Sequence, residues 1–167
     1  VRQGSSEEDI EIFLRLTAET AERDKFDSHE ADYLRSTCEA LLPSGFARLR
    51  FAEWQGKCLA ANMEIAYGET VTDLHGSSSS DDRQVMAPYL LHWEAMKTAK
   101  GAGAKFYDLY GANPRLQSNI YYKPSWEGIT RFKRGWGGKD VDLMGTWDLP
   151  LNKALYYFAF PKLLWRS

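Results

Sequence analysis

Residues 77–111 read SSSSDDRQVMAPYLLHWEAMKTAKGAGAKFYDLYG, and three patterns follow one another inside them. A polar serine and aspartate run comes first. Met86, Leu90, Trp93 and Met96/Lys97 then recur three to four residues apart, the spacing of one helix face, with Pro88 acceptable in the first turn. Gly101 and Gly103 stop that helix, and KFYDLYG over 105–111 has the composition of a strand.

Upstream of this helix–strand pair, FARLRFAEW (46–54) alternates as a half-buried strand does, and Gln55–Gly56 makes a tight turn. KCLAANMEIAYG and TVTDLHG supply two further strands, so an antiparallel three-stranded meander is expected. Two helices precede it. Serine and acidic residues open SSEEDIEIFLRLTAETAERD, where Ile10, Phe13, Leu14 and Thr17 share a face over residues 7–20. SHEADYLRSTCEALL repeats the pattern, with Ser28 as cap and Tyr33, Leu34, Cys38, Leu41 and Leu42 as core, and Pro43–Gly45 ends it. Downstream lie a polar–aromatic loop over 112–128, a short helix ITRFKRG, an edge strand over 139–150, and an aromatic helix over 152–166. The expected order is αα-βββ-α-β-α-β-α, an α+β fold with a mostly antiparallel central sheet flanked by helices.

At 167 residues, 44% hydrophobic, the chain has the length of one domain with a core of its own. Its net charge of −2 hides an asymmetry. Residues 1–96 carry 9 Lys/Arg and 18 Asp/Glu, whereas residues 97–167 carry 12 and 5. The second half favours an anion-attracting face, unless the fold neutralises one half with the other. Cys38 and Cys58 fit reduced thiols of a cytoplasmic protein. His29, His75 and His92 lack zinc-site spacing, so no metal is expected. No membrane-span-length apolar run and no signal peptide is visible.

GITRFKRGWGG (128–138) crowds three basic side chains, two aromatics and four glycines into eleven positions. Neither G-x-x-x-x-G-K-[ST] nor G-x-G-x-x-G is present, so this is no standard phosphate cradle. Read plainly, it is a helix end followed by a turn.

The element order resembles GNAT-type acyltransferases. In those enzymes a glycine-containing loop at the N-terminus of the central helix holds the acetyl-CoA pyrophosphate on free N–H groups. Here Asp81 and Asp82 occupy that approach and would repel it, while Gly101 and Gly103 lie at the negative end of the helix dipole. No cofactor is therefore expected.

Four segments in order, spread over residues 1–166, resemble the FemABX aminoacyltransferases. They are T-x-x-R-D-x-F at 20–26, LHGSSSS…R…YLLHW at 74–93, YDLYG at 107–111, and GITRFKRGWGG at 128–138 followed by GTWDLPL. The resemblance implies transfer of an amino acid from aminoacyl-tRNA to the stem-peptide amine of a peptidoglycan precursor, nucleotide-linked or lipid-linked. It also implies two GNAT-like domains in tandem. Residues 1–167 are long enough for one, and VRQG resembles the start of the second, so an N-terminal GNAT-like partner domain is expected. Work on a lipid-linked precursor would place the protein in the cytoplasm at the inner membrane face. The terminal LYYFAFPKLLWR is then available for peripheral contact, although core packing also accounts for it.

Site residues follow from the same resemblance. Lys133 matches the family's FK lysine and is expected to stabilise the oxyanion of the tetrahedral intermediate, with Phe132 packed beside it; without the match it reads as a solvated helix lysine. Arg23 matches a precursor-phosphate arginine, and an Arg23–Asp24 or Arg23–Glu19 ion pair accounts for it equally well. Arg83 either lines the same cleft or pairs with Asp81/Asp82. Asp108 is a candidate proton acceptor, or a buried structural carboxylate bonded to backbone. His75 is a candidate substrate contact, or a polar strand end. Tyr121, Tyr122, Trp126 and Trp136, interleaved with Lys123, Arg131, Lys133 and Arg134, suit stacking on an unpaired tRNA end, or form a packed loop with a basic rim. No G-x-S-x-G surrounds any serine, so no acyl-enzyme is expected. An acyl-CoA N-acyltransferase and a non-catalytic precursor-binding domain remain the alternatives.

Overall fold

The structure is a computed structural model that describes residues 1–26, 28–144, 149–152, 155, 156 and 158. The chain divides into two compact units, Val1–Trp136 and Gly137–Ser167.

The first unit runs β1 (Arg2–Gly4), α1 (Glu7–Asp24), α2 (Ala31–Leu41), β2 (Ala47–Trp54), β3 (Lys57–Tyr67), β4 (Thr70–Ser78), α3 (Ala87–Gly101), β5 (Phe106–Asp108) and α4 (Glu127–Arg134). The five strands form one sheet in the order β1-β2-β3-β4-β5. β1 through β4 pair antiparallel, and β5 joins β4 in parallel. A parallel neighbour needs a crossover, and α3 supplies it. The expected mostly antiparallel α+β sheet is present. β1, hidden in VRQG, is an addition that three residues without alternation do not announce.

Helices cover both sheet faces. α1 and α2 pack Ile10, Phe13, Leu14, Leu16, Leu34 and Cys38 onto Leu49, Phe51, Ala61 and Met63. On the opposite face, Ala87 and Leu91 of α3 pack against Ala52, Leu59 and Ala60. Burying a side chain the size of Phe13 or Phe51 stabilises by roughly 1.5–3 kcal/mol. Because α3 closes the second face, β2 is not the half-buried strand its alternation suggests: Arg50 is buried among its apolar neighbours.

The α3 stripe is rotated from the expected one. Met86, Leu90 and Trp93 are exposed, and the buried face carries Ala87, Leu91, His92, Ala95 and Ala99. Three alanines bring the helix close to the sheet, and that proximity selects the small face over the bulky one. In α2, Tyr33 is also exposed, and the N-cap is Glu30 rather than Ser28, whose hydroxyl donates to His29 O instead.

α1 begins with a capping box, with Ser6 Oγ accepting from Asp9 N and Asp9 Oδ2 accepting from Ser6 N. The same carboxylate takes Ser5 N–H, and its Oδ1 takes Arg2. Gly4 leaves room for it: a Cβ there would stand 2.4 Å from Asp9 Cγ. Gly4→Ala therefore displaces Asp9 and opens the cap. We expect a loss of about 1–3 kcal/mol in denaturant unfolding; an unchanged midpoint would mean that β1 yields instead.

In the second unit, Lys139–Met144 form no strand, which corrects the expected edge strand where it is described; residues 145–148 of that stretch lie outside the described residues. Asn152 caps a turn by accepting Leu155 N–H at its side chain. Leu155, Tyr156 and Phe158 are helical, and the rest of the expected terminal helix falls largely outside the described residues. Among the described residues, no helix is long and apolar enough to cross a membrane.

Candidate active site

Lys133 sits in the last turn of α4 and donates from Nζ to Gly111 O at 2.7 Å. Asn113 builds that contact. Its N–H donates to Thr130 Oγ1 of α4, and its side chain exchanges hydrogen bonds with the Lys123 backbone at 2.8 and 2.9 Å. Arg134 adds a bond to Asn113 O. The loop after β5 is thereby pinned to α4, and Gly111 lies under the lysine. At Gly111 a Cβ would come within 3.3 Å of the Trp126 ring, a tight contact that the indole would relieve by giving a few tenths of an ångström. Lys133 is half-buried, and that burial lowers its pKa; the charges of Asp73 and then Asp108 oppose the fall.

Beneath it lies a polar layer on the α3 face of the sheet. Arg50 of β2 donates from Nε to Glu64 Oε2 of β3 at 2.7 Å, and Tyr107 of β5 donates to Glu64 Oε1 at 2.9 Å. Asn62 Nδ2 donates to Asp73 Oδ1 of β4 at 3.2 Å, and His92 Nε2 of α3 stands 3.8 Å from Asp73 Oδ2. Burial pushes the Asp73 carboxyl up to about 7, against the pull of Lys133 and Asn62. Burial, aided by Lys133, pushes His92 down to about 4. Tyr107 is raised by burial and by Glu64. Among the described residues, His92 Nδ1 and Trp136 Nε1 are buried without a hydrogen-bond partner.

An aromatic box closes over His92. Phe132 lies 5.3 Å and Trp136 6.1 Å from its ring, and Tyr89 meets Phe132 edge-on at 4.9 Å. Phe132 thus packs one residue from the lysine, between α3 and α4.

The other candidates distribute as follows. Asp108 is exposed, which corrects the buried-carboxylate alternative, although its Oδ1 does accept Tyr110 N–H at 2.8 Å. Arg23 pairs with Asp24 at 2.9 Å and donates to Ser78 O at 2.7 Å, the helix-end arrangement. Glu19 instead receives Ser79 Oγ and Ser80 N–H. Arg83 is exposed in a short 3-10 turn (Arg83–Val85), and the cation facing Asp81 and Asp82 is Lys57, at 3.6 and 3.8 Å. His75 is half-buried against His29, with ring centres 5.5 Å apart. Tyr121 is exposed in a turn, whereas Trp136 stacks beside Tyr89. Tyr122 donates to Glu127 Oε1, and Lys123 lies over the Trp126 ring at 4.4 Å.

Asp73, His92, Glu64, Asn62, Arg50 and Tyr107 were not among the sequence candidates. One signal for them exists: Arg50 in β2, and Asn62 and Glu64 two positions apart in β3, put polar side chains on a strand face where a two-sided core predicts hydrocarbon.

A model described as the FemAB family matches residues 46–160. The lipid II:glycine glycyltransferase of Staphylococcus epidermidis is 30% identical over 158 residues, 86% of this chain and 36% of that protein. Aminoacyltransferase FemB of the same species is 30% identical over 99 residues, 59% of this chain and 23% of that protein. The chain thus spans little more than a third of the length of the glycyltransferase and less than a quarter of that of FemB. The crystal structure of FemX superposes with a TM-score of 0.68 at 19% identity, covering 81% of this chain and 50% of that one. The aminoglycoside acetyltransferase AAC(6')-Iy, in complex with a CoA bisubstrate analog, gives 0.64 at 12% identity, covering 89% and 96%. At those identities the two structures speak to the fold, which is GNAT-like.

Proposed function

Starting from a chain that belongs to the FemAB family, we propose that it contributes the acyl-transferring site of an aminoacyltransferase that builds peptidoglycan cross-bridges. The proposed donor is aminoacyl-tRNA, and the proposed acceptor is the stem-peptide amine of a nucleotide- or lipid-linked precursor. The protein would work in the cytoplasm, at the inner membrane face when the precursor is lipid-linked. The domain reading is part of the same proposal: one GNAT-like domain that acts beside a second.

One observation carries this reading: a half-buried ammonium on Gly111 O, next to two carboxylates and an aromatic box. Aminolysis of an ester needs a cation where negative charge appears. The acceptor amine attacks the ester carbon, Lys133 meets the developing oxyanion, and the intermediate collapses by expelling the ribose hydroxyl oxygen. The proton lost by the amine ends on that oxygen. Among the described residues, the Lys133 ammonium makes one hydrogen bond, so donors remain for the oxyanion. Phe132 fixes the lysine's turn against α3. Asp108, exposed beside Lys133, is the proposed first acceptor of the amine proton. Trp136 and Tyr121 are proposed to contact the donor's unpaired end. Arg23, Arg83 and His75 are proposed to contact the precursor, and a phosphate reaching Arg23 would have to replace Asp24 on its guanidinium.

The test is transfer of labelled amino acids from a charged tRNA pool to a nucleotide-linked muramyl-pentapeptide, by the 167-residue chain and by the complete product of its gene. Labelled precursor is the expected product. Labelling from acyl-CoA alone would overturn the proposed donor.

A further inference from the structure

We propose that His92 is a positioning residue for Lys133: its imidazole seats the turn of α4 that carries the lysine, touching Phe132 and Trp136 while its Nε2 faces Asp73 of the sheet. The inference deepens the reading above and takes its catalytic meaning from it, whereas the seating itself stands on the contacts.

Two sets of contacts hold the lysine's turn. The first joins helix to loop: Thr130, Lys133 and Arg134 of α4 hydrogen-bond to Asn113 and Gly111 of the segment after β5. The second joins α4 to α3. Phe132 meets the Tyr89 and His92 rings at 4.9 and 5.3 Å, and Trp136 meets the same two at 5.9 and 6.1 Å. Tyr89 is 42% exposed and His92 5%, so His92 is the anchored member of the two.

The sheet orients the imidazole. Asn62 Nδ2 donates to Asp73 Oδ1 at 3.2 Å, the other oxygen of that carboxyl lies 3.8 Å from His92 Nε2, and the Tyr107 ring meets the imidazole edge-on at 6.4 Å. Burial keeps His92 uncharged at physiological pH, so a neutral ring enters the aromatic box and no ion has to be solvated there. Phe132 and Trp136 are four residues apart and rest on the same ring. Two such points fix the rotation of the turn, because one residue of slip turns a helix by about 100°. Lys133 lies between them, and its Nζ is thereby held on Gly111 O. A leucine at position 92 would fill the volume but give Phe132 and Trp136 no flat ring and Asp73 no N–H.

The test is NMR of the Lys133 ammonium, whose protons the bond to Gly111 O slows in exchange, with the resonance assigned by its loss in Lys133→Arg. The Asn113 amide, which donates to Thr130 Oγ1, reports on the joint of loop and helix in the same samples. In His92→Ala the ammonium signal should be lost while the Asn113 amide stays protected. His92→Phe, which returns a ring to Phe132 and Trp136, should recover most of the signal. Any other combination of the two signals in His92→Ala overturns the proposal, and so does no recovery in His92→Phe. Should His92→Ala not fold, His92→Leu is read in the same way. None of this requires turnover. If the lysine is released as expected in a protein that transfers nothing from charged tRNA, the aminoacyl reading alone falls. In an active enzyme, His92→Ala should lower kcat about 10- to 100-fold and leave KM in place, the cost of a misplaced catalytic group; a raised KM at full kcat overturns the positioning role.

Discussion

Lys133→Ala is expected to lower kcat for aminoacyl transfer by about 10²- to 10³-fold, the effect of deleting one preorganised oxyanion donor. The fold should survive: the side chain contributes one hydrogen bond, to Gly111 O, while Asn113 and Thr130 continue to hold loop to helix. KM should change little, because the proposed interaction is made in the transition state. Lys133→Arg is informative beside it. A planar guanidinium cannot reproduce a compact ammonium seated on one carbonyl, so most of the loss should persist despite the retained charge. The check is steady-state kinetics with circular dichroism on the same samples. Full turnover in Lys133→Ala would remove the lysine from the mechanism.

The second large effect is on stability. Arg50 and Glu64 are 5% and 1% exposed, and their ion pair is 2.7 Å long. Arg50→Ala leaves a carboxylate in the sheet interior with Tyr107 as its remaining side-chain partner among the described residues, at an expected cost of about 3–5 kcal/mol. Arg50→Met with Glu64→Leu removes both charges and should recover most of that loss, because the pair itself contributes little net stability once its desolvation is counted. Denaturant unfolding of the two variants measures the difference. A single-variant cost below about 1 kcal/mol would mean that water reaches Glu64 when Arg50 is gone.

How much of this was legible in the sequence depends on the range of the interaction. α1, β2 to β4 and α4 follow from local periodicity and turn residues, and GNAT-like order follows from their succession. The Phe132–Lys133 turn was found by resemblance, and the structure gives it a half-buried setting. The buried face of α3 was missed because a hydrophobic stripe ranks residues by apolarity, whereas a helix lying close on a sheet selects small ones: Ala87, Ala95 and Ala99. Asp73 and His92 were missed because their meaning lies in each other. They are 19 positions apart on different elements, and neither carries a local signature.

The polar layer on the α3 face has a consequence for how the chain folds. Side chains alternate along a strand, so a one-residue slip of β3 against β2 would swap its two faces. Asn62 and Glu64 would then point at Phe13 and Phe51, and Ala61 and Met63 would meet Arg50. An apolar strand could tolerate such a misalignment as a metastable packing; this one would trap a carboxylate in hydrocarbon and strand a guanidinium. The residues that surround the lysine thus also proofread the pairing of the strands, and a variant that neutralises them should fold to a less sharply defined alignment even where its stability is restored.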